Sequence, residues 1–199
     1  MQDRLERQIA FLVEADKLKG VSRRTPLTDN SRRENSAEHS WHLMLAALAL
    51  SEYAPGVDLR RVLEMLAVHD LVEIDAGDTF AYDAAANVGK ADRERAAADR
   101  LFHLLPGDQA EWMLATWHEF EEAKTQESRL ANALDRLQAL LQNMAAGGGS
   151  WGTYNVTRNQ VLRRMAPVEA ALPDVWPFVL GIIDRFCESG AIATTEPAT

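Results

Sequence analysis

Two histidines and two aspartates define the chemistry open to this sequence. His39 stands in ENSAEHSWH, His69 and Asp70 are adjacent in AVHDLVEIDAGD, and Asp135 lies in ALDRLQALLQ. Each sits on a stretch with apolar neighbours. Asp135, for example, has Leu134 and Leu137 beside it and Leu130 above. A carboxylate facing a packed interior is costly unless it is paired or bound to metal. Two imidazoles with two carboxylates form a mixed N/O set that suits Mn, Fe, Co, Ni or Zn and suits Ca poorly. Four protein ligands on a six-coordinate ion leave positions open for water and substrate, which is the condition for metal-assisted hydrolysis. The other three histidines read differently. His103 and His118 fit hydrogen-bonded core residues, as does His42, which follows His39 by one turn and can also support a neighbouring ligand.

The elements that must hold these groups are helical. Glycine and proline are sparse, at 11 and 7 in 199 residues, and clusters of β-branched residues are rare. Leu5, Ile9, Leu12 and Val13 keep helical spacing and give a first helix that ends near Gly20. The arginine-rich stretch from Val21 to Asn35, with Pro26 inside it, reads as a loop. Ser36 stands at an N-cap position before a helix through Tyr53, which Pro55-Gly56 stops. Asp58 caps the next helix, through His69 to about Val72, and Asp75 to Asn87 reads as irregular. Further helices follow from Ala91 to Leu105, Asp108 to Ala123 and Glu127 to Ala146. Gly147 to Ser150 is the flexible break before helices near Thr157 to Ala171 and Pro173 to Cys187. No strand and no internal repeat are expected, and Trp151, Trp176 and Phe178 read as core or interface packing. The fold class is all-α, a bundle of about seven or eight helices in one domain over 1–189, with C-terminal helices in 157–187 and a tail that frays over 190–199.

Composition narrows the partners. The net charge of −9 argues against non-specific binding along a nucleic acid polymer, which rests on phosphate neutralisation by Lys and Arg. It leaves room for a small anionic substrate, since a metal ion and a few arginines can make one pocket positive. The longest apolar run, Leu43 to Leu50, is far short of the ~20 residues of a membrane helix. The first residues carry acids and lack the apolar core of a signal peptide, and the lone Cys187 cannot form an internal disulfide, so a cytoplasmic location is expected.

The three motifs resemble, in order, those of the HD-domain metal-dependent phosphohydrolases, most closely the YfbR-like 5′-deoxynucleotidase branch. The spacing agrees, with 30 residues from His39 to His69 and 65 from Asp70 to Asp135. RTPLTDNSRRENSAEHS is similar to the branch's loop ahead of its first histidine. The resemblance covers about 9–146 and implies an HD helical bundle, usually dimeric. It implies that His39, His69, Asp70 and Asp135 hold one divalent ion, with Mn, Co, Mg, Fe, Ni and Zn all candidates.

The resemblance also assigns roles. The catalytic glutamate falls on Glu73, which on a helix is i+4 from His69 and i+3 from Asp70, so that all three can face one site. The aspartate after the short glycine turn falls on Asp78, with Asp75 as a nearby decoy. Thr79, Phe80 and Ala81 then line the nucleoside side. The phosphate-orienting arginine falls on Arg24, with Arg23, one step away, as the alternative holder. An arginine suits the task because its planar fork gives two donors to phosphate oxygens at once. Thr25 stands where the branch has a tryptophan linked to deoxyribose preference. Asp70 and Asp135 neutralise the ion and touch substrate oxygens.

The activity so implied is hydrolysis of nucleoside 5′-monophosphates, with deoxynucleotides among them, to nucleoside and phosphate by a homodimer. Three alternatives stand against it. An HD hydrolase of (p)ppGpp is expected to carry an acidic pair a few residues after the His-Asp pair, where this chain has Glu73-Ile74. A cyclic-nucleotide phosphodiesterase needs more metal-binding histidines than the five here supply. A non-catalytic nucleotide-sensing module is opposed by the intact ligand set and Glu73.

Overall fold

Residues 2–83 and 85–194 are described in the computed structural model of the chain. Among them are eight α-helices of ten residues or more, together with two single-turn helices. In chain order they are α1 (Gln2–Ala15), α2 (Ser36–Leu50), α3 (Leu59–Val68), α4 (Glu73–Ala76), α5 (Lys90–Phe102), α6 (Gly107–Glu122), α7 (Gln126–Ala145), α8 (Ser150–Thr153), α9 (Arg158–Ala171) and α10 (Trp176–Glu188). The all-α reading of the sequence therefore holds. No helix of the described residues is long and apolar enough to cross a membrane.

The stretch expected to be a plain loop is where the structure departs from that reading. Two short antiparallel strands, β1 (Ser22–Pro26) and β2 (Arg33–Asn35), pair across it. Asn30, at φ 58°, turns the chain between them, and Asp29 accepts from the amide and hydroxyl of Ser31. Polar side chains hid the pairing, because only Thr25 and Glu34 of these strands are buried. Successive strand residues point to opposite faces. Arg23 and Thr25 therefore turn inward, whereas Arg24 is exposed.

The α2 cap also shifts by one residue. Asn35, not Ser36, caps the helix, its side chain accepting from the Glu38 amide while Glu38 accepts from the Asn35 amide. Ser36 is thereby released as a helical residue, with its hydroxyl available to the interior.

Two apolar clusters form the body. One gathers Leu43, Met65, Leu66, Leu134, Leu137, Trp151 and Val179 from α2, α3, α7, α8 and α10. The other gathers Phe11, Val68, Leu71, Phe102 and Trp117 from α1, the end of α3, α5 and α6. The α3 segment crosses from one to the other, which puts His69 and Asp70 at their seam. Beyond α7, three glycines at positive φ make the break. Gly149 is required there, because a Cβ on it would lie 2.4 Å from Asn143 Oδ1, the atom that accepts from the Ser150 amide and hydroxyl.

The tail is ordered further than expected. Ile192 is fully buried, its amide donates to Phe186, and Ala193 exchanges backbone hydrogen bonds with Val156 and Arg158, so 190–194 is held; 195–199 lies outside the described residues. The α1 stripe of Leu5, Ile9, Leu12 and Val13 forms a helix, but its side chains are exposed and Phe11 is the residue that faces inward. Trp151 is core and Trp176 packs beside it, whereas Phe178 is exposed.

Candidate metal centre and substrate cavity

His69 follows α3 in a 3-10 turn, His69 to Val72, that tightens the chain before α4. Its Nδ1–H donates to Leu66 O at 3.0 Å, which leaves Nε2 as the lone-pair nitrogen. That Nε2 is buried with no hydrogen-bond partner, 3.1 Å from Asp70 Oδ1. Burial lowers the His69 pKa, favouring the neutral ring that binds metals. His39, on α2, presents its Nδ1–H to Gln138 Oε1 at 2.9 Å and its Nε2 to Asp135 Oδ1 at 3.0 Å. Burial and Arg23 oppose a second proton on this ring, but the bonds to Asp135 and Glu34 outweigh them and raise it to about 9.

One donor atom from each of His39, His69 and Asp70 falls in a group within 4.8 Å of one another. An orphaned, buried imidazole nitrogen aimed among N and O donors is what a divalent ion satisfies, so these residues fit one. Asp135 meets His39 but lies outside the three-residue group. Its other oxygen, Oδ2, is drawn toward Arg164 at 3.5 Å and Arg136 at 3.6 Å. Burial disfavours its charge, yet His39 and these arginines hold the carboxyl well below its usual range.

The ligand-supporting layer was not read from the sequence. Gln138, one turn beyond Asp135 on α7, donates to Glu34 Oε1 at 2.9 Å and to His42 Nδ1 at 3.0 Å while accepting from His39. Gln142 donates to the same Glu34 oxygen at 2.7 Å. Such partners fix the tautomer and orientation of a metal-binding imidazole. The i+3 and i+7 spacing of Gln138 and Gln142 from Asp135 was the available signal. His42 accordingly supports a candidate ligand through Gln138. His103 and His118 are not core residues: both are exposed.

Arg23 enters the same centre. Its guanidinium lies 2.8 Å from Asp70 Oδ2, 3.6 Å from Glu34 Oε2 and 4.0 Å from each of Glu73, Asp78 and Asp135. Glu73 is buried and accepts from the Ser36 hydroxyl at 2.6 Å. Burial, reinforced by Asp70, pushes its carboxyl above the ordinary carboxylate range, and burial does the same for Asp78. Asp75 is outside this group and pairs with Arg100.

A cavity of about 100 Å³ opens onto these groups. Its lining contains Arg23, Arg24, Thr25, Asp70, Glu73, Asp78, Thr79, Phe80, Ala81 and Asp135, so the sequence-derived substrate residues share one wall or rim. Arg24 reaches it from the exposed face of β1, and Asp70 is the member of the metal-fitting group that lines it. The structure adds Lys90, Arg136 and Arg164. Nothing but their charge marked these three in the sequence, and Arg164 comes from α9, beyond the glycine break.

A family model of the HD domain matches residues 15–176. The crystal structure of a predicted metal-dependent phosphohydrolase from Magnetospirillum magnetotacticum is 48% identical, covers 96% of both chains and superposes with a TM-score of 0.92. The 5′-deoxynucleotidase HDDC2 of Danio rerio is 27% identical over 142 residues, 69% of this chain and 68% of that protein. A 5′-deoxynucleotidase of Erwinia tasmaniensis is 29% identical over 163 residues, 76% and 82% of the two chains.

Proposed function

The chain belongs to the HD-domain family, and on that footing we propose that it is a metal-dependent phosphomonoesterase that hydrolyses nucleoside 5′-monophosphates to nucleoside and phosphate. One observation carries the reading most. Asp70 of the metal-fitting group, the buried Glu73 and the inward Arg23 line a single cavity, which is the equipment for adding water to a phosphate ester. Relatives named as 5′-deoxynucleotidases and a metal-dependent phosphohydrolase neighbour support the substrate class.

The ion assigned to His39, His69, Asp70 and Asp135 supplies Lewis-acid activation of water and phosphate when bound. The chain's own groups do the rest. Glu73 accepts a proton from the attacking water, oriented for this by the Ser36 hydroxyl on its Oε2. Arg23, with Arg24 at the rim, holds the equatorial phosphate oxygens, where a planar fork gains most as charge spreads over them. As the phosphorus–O5′ bond breaks, the proton taken from water passes to the leaving 5′ oxygen, with Asp78, in the same cavity wall, as the relay. Asp70 and Asp135 balance the charge of the ion. The residue at 25 offers no ring, so the reading takes ribo- and deoxyribonucleotides alike.

The reading includes a homodimer in the cytoplasm. Leu5, Ile9, Leu12 and Val13 on α1, and Trp41, Leu45 and Leu48 on α2, are large exposed apolar residues at helical spacing. Faces of this kind mark association surfaces.

The direct experiment measures phosphate release from ribo- and deoxyribonucleoside monophosphates with Mn, Co, Mg, Zn and no metal. Release with at least one ion, abolished by chelator, is the expected result. No release from any monophosphate with any of these ions rejects the nucleotidase reading.

A further inference from the structure

Beside the metal-centre cavity lies a second, about 330 Å³, lined by Arg24, Phe80, Tyr82, Asp83, Tyr154 and Gln160. Arg24, Phe80 and Tyr82 belong to both, so one wall separates the two spaces. The volume lies at the lower end of the roughly 300–1,000 Å³ of small-molecule sites.

Its floor is aromatic. The Phe80 and Tyr154 ring centroids are 4.5 Å apart at 43°, and Phe80 meets Tyr82 edge-on at 5.3 Å and 70°. Phe80 and Tyr82 are half-buried, and Tyr154 stands at the exposed edge. The rim carries both hydrogen-bonding senses. Gln160 Oε1 accepts from the Thr157 amide, which leaves its Nε2 amide without a partner among the described residues. Asp83 offers carboxylate acceptors. The chain builds this platform from two distant segments: the irregular stretch after Gly77 supplies Phe80, Tyr82 and Asp83, and the turn after the glycine break supplies Tyr154.

We infer that Phe80, Tyr82 and Tyr154 form the stacking site for the base of the nucleotide, with Asp83 and Gln160 at the base edge and Arg24 bridging base and phosphate cavities. The inference rests on the nucleotide reading above and deepens it. A planar heteroaromatic group gains from stacking on side-chain rings, and every base has such a face, so this platform recognises the class of ligand without choosing one base.

Two measurements test it on the full-length protein. Calorimetric titration with nucleosides, which carry no phosphate, reads base binding without catalysis. Binding is expected to weaken at least about tenfold in Tyr154→Ala and in Phe80→Leu, and to persist in Tyr154→Phe, which keeps the ring. Steady-state assays with the metal-loaded enzyme then compare a nucleoside monophosphate with ribose 5-phosphate. In Tyr154→Ala, KM for the nucleotide rises by a similar factor with kcat close to the parent's, and KM for ribose 5-phosphate does not follow it. Unchanged nucleoside affinity in the correctly folded Tyr154→Ala and Phe80→Leu proteins overturns the inference, as does an equal KM rise for both substrates. If no phosphate is released from any substrate, the nucleotidase reading fails, whereas ring-dependent nucleoside binding upholds the platform.

Discussion

Replacing Arg23 by methionine removes the guanidinium that lies against Glu34, Asp70 and Glu73 and keeps most of the side chain's apolar bulk. Asp70 Oδ2 loses a partner at 2.8 Å, and Glu34, Glu73, Asp78 and Asp135 lose a cation at 3.6 to 4.0 Å. The Arg23 side chain is only 11% exposed, so water replaces little of this. Removing one partner of a buried ion pair costs about 3–5 kcal/mol. At about 2–4 °C per kcal/mol for a chain of this size, the melting temperature in chelator falls by about 6–20 °C. Arg24→Met, on the exposed face of the same strand, stays within about 0.5 kcal/mol of the parent.

The assay is thermal unfolding of both variants in chelator, followed by titration with a divalent ion. In Arg23→Met the carboxylates of Glu34, Asp70 and Glu73 lose the guanidinium shared among them, so a bound ion neutralises more uncompensated charge and the rise in melting temperature at saturating ion exceeds that of the parent. Phosphate release by the loaded variant falls by about 10²–10³, the range for loss of a preorganised charge-stabilising donor. The reasoning is refuted if Arg23→Met melts with the parent while Arg24→Met carries the loss. That result would mean that Arg24, the position assigned by motif resemblance, is the inward arginine and that the β1 alternation is wrong.

Three further outcomes are expected. Glu73→Ala retains divalent-ion binding by calorimetry but loses at least about 100-fold in turnover, the lower range of general acid–base help; near-normal turnover removes Glu73 from the proton-accepting role. Gln138→Leu removes the Gln138 acceptor from His39 Nδ1 and leaves Glu34 with Gln142 as its amide donor, and lowers ion affinity by about 10–100-fold; unchanged affinity shows that this layer does not orient His39. If the proposed homodimer forms through the exposed stripe of α1, Ile9→Asp shifts sedimentation toward monomer, and sedimentation equal to the parent's excludes that stripe as the interface.

What the sequence made legible follows from the range of each interaction. Helix spacing, the Asp58 cap and the Pro55-Gly56 stop act within a few residues, and the helices begin and end close to where those signals put them. The His-Asp pair and the flanking motifs likewise carry their chemistry locally. The inward turn of Arg23 does not, because it depends on a strand pairing that no apolar alternation announces. A hairpin made of Ser, Arg, Thr, Glu and Asn looks like a loop until its partner strand is known. Arg136 and Arg164 were invisible for a related reason: a charged residue on a helix is ordinarily solvated, and only the packing of α9 against α7 brings Arg164 to Asp135.

The same packing gives the C-terminal helices a role that motif matching could not assign. Without α9, Asp135 would face the centre with Arg23, Arg136 and His39, and both of its oxygens could turn toward the histidines. Arg164 and Arg136 hold Oδ2, which leaves Oδ1 as the oxygen presented to His39 Nε2. The α9 helix packs on α7, its first residue is tied to the tail by the Arg158 amide on Ala193 O, and Tyr154, just after α8, lines the second cavity. The part of the chain with the weakest motif resemblance thus touches both ends of the nucleotide in this reading. Arg164 lies beside Asp135, and Tyr154 lines the proposed base site. Differences in substrate choice among relatives sharing the His-Asp motifs are therefore expected to map to these helices, where the sequences are free to differ without disturbing the ion.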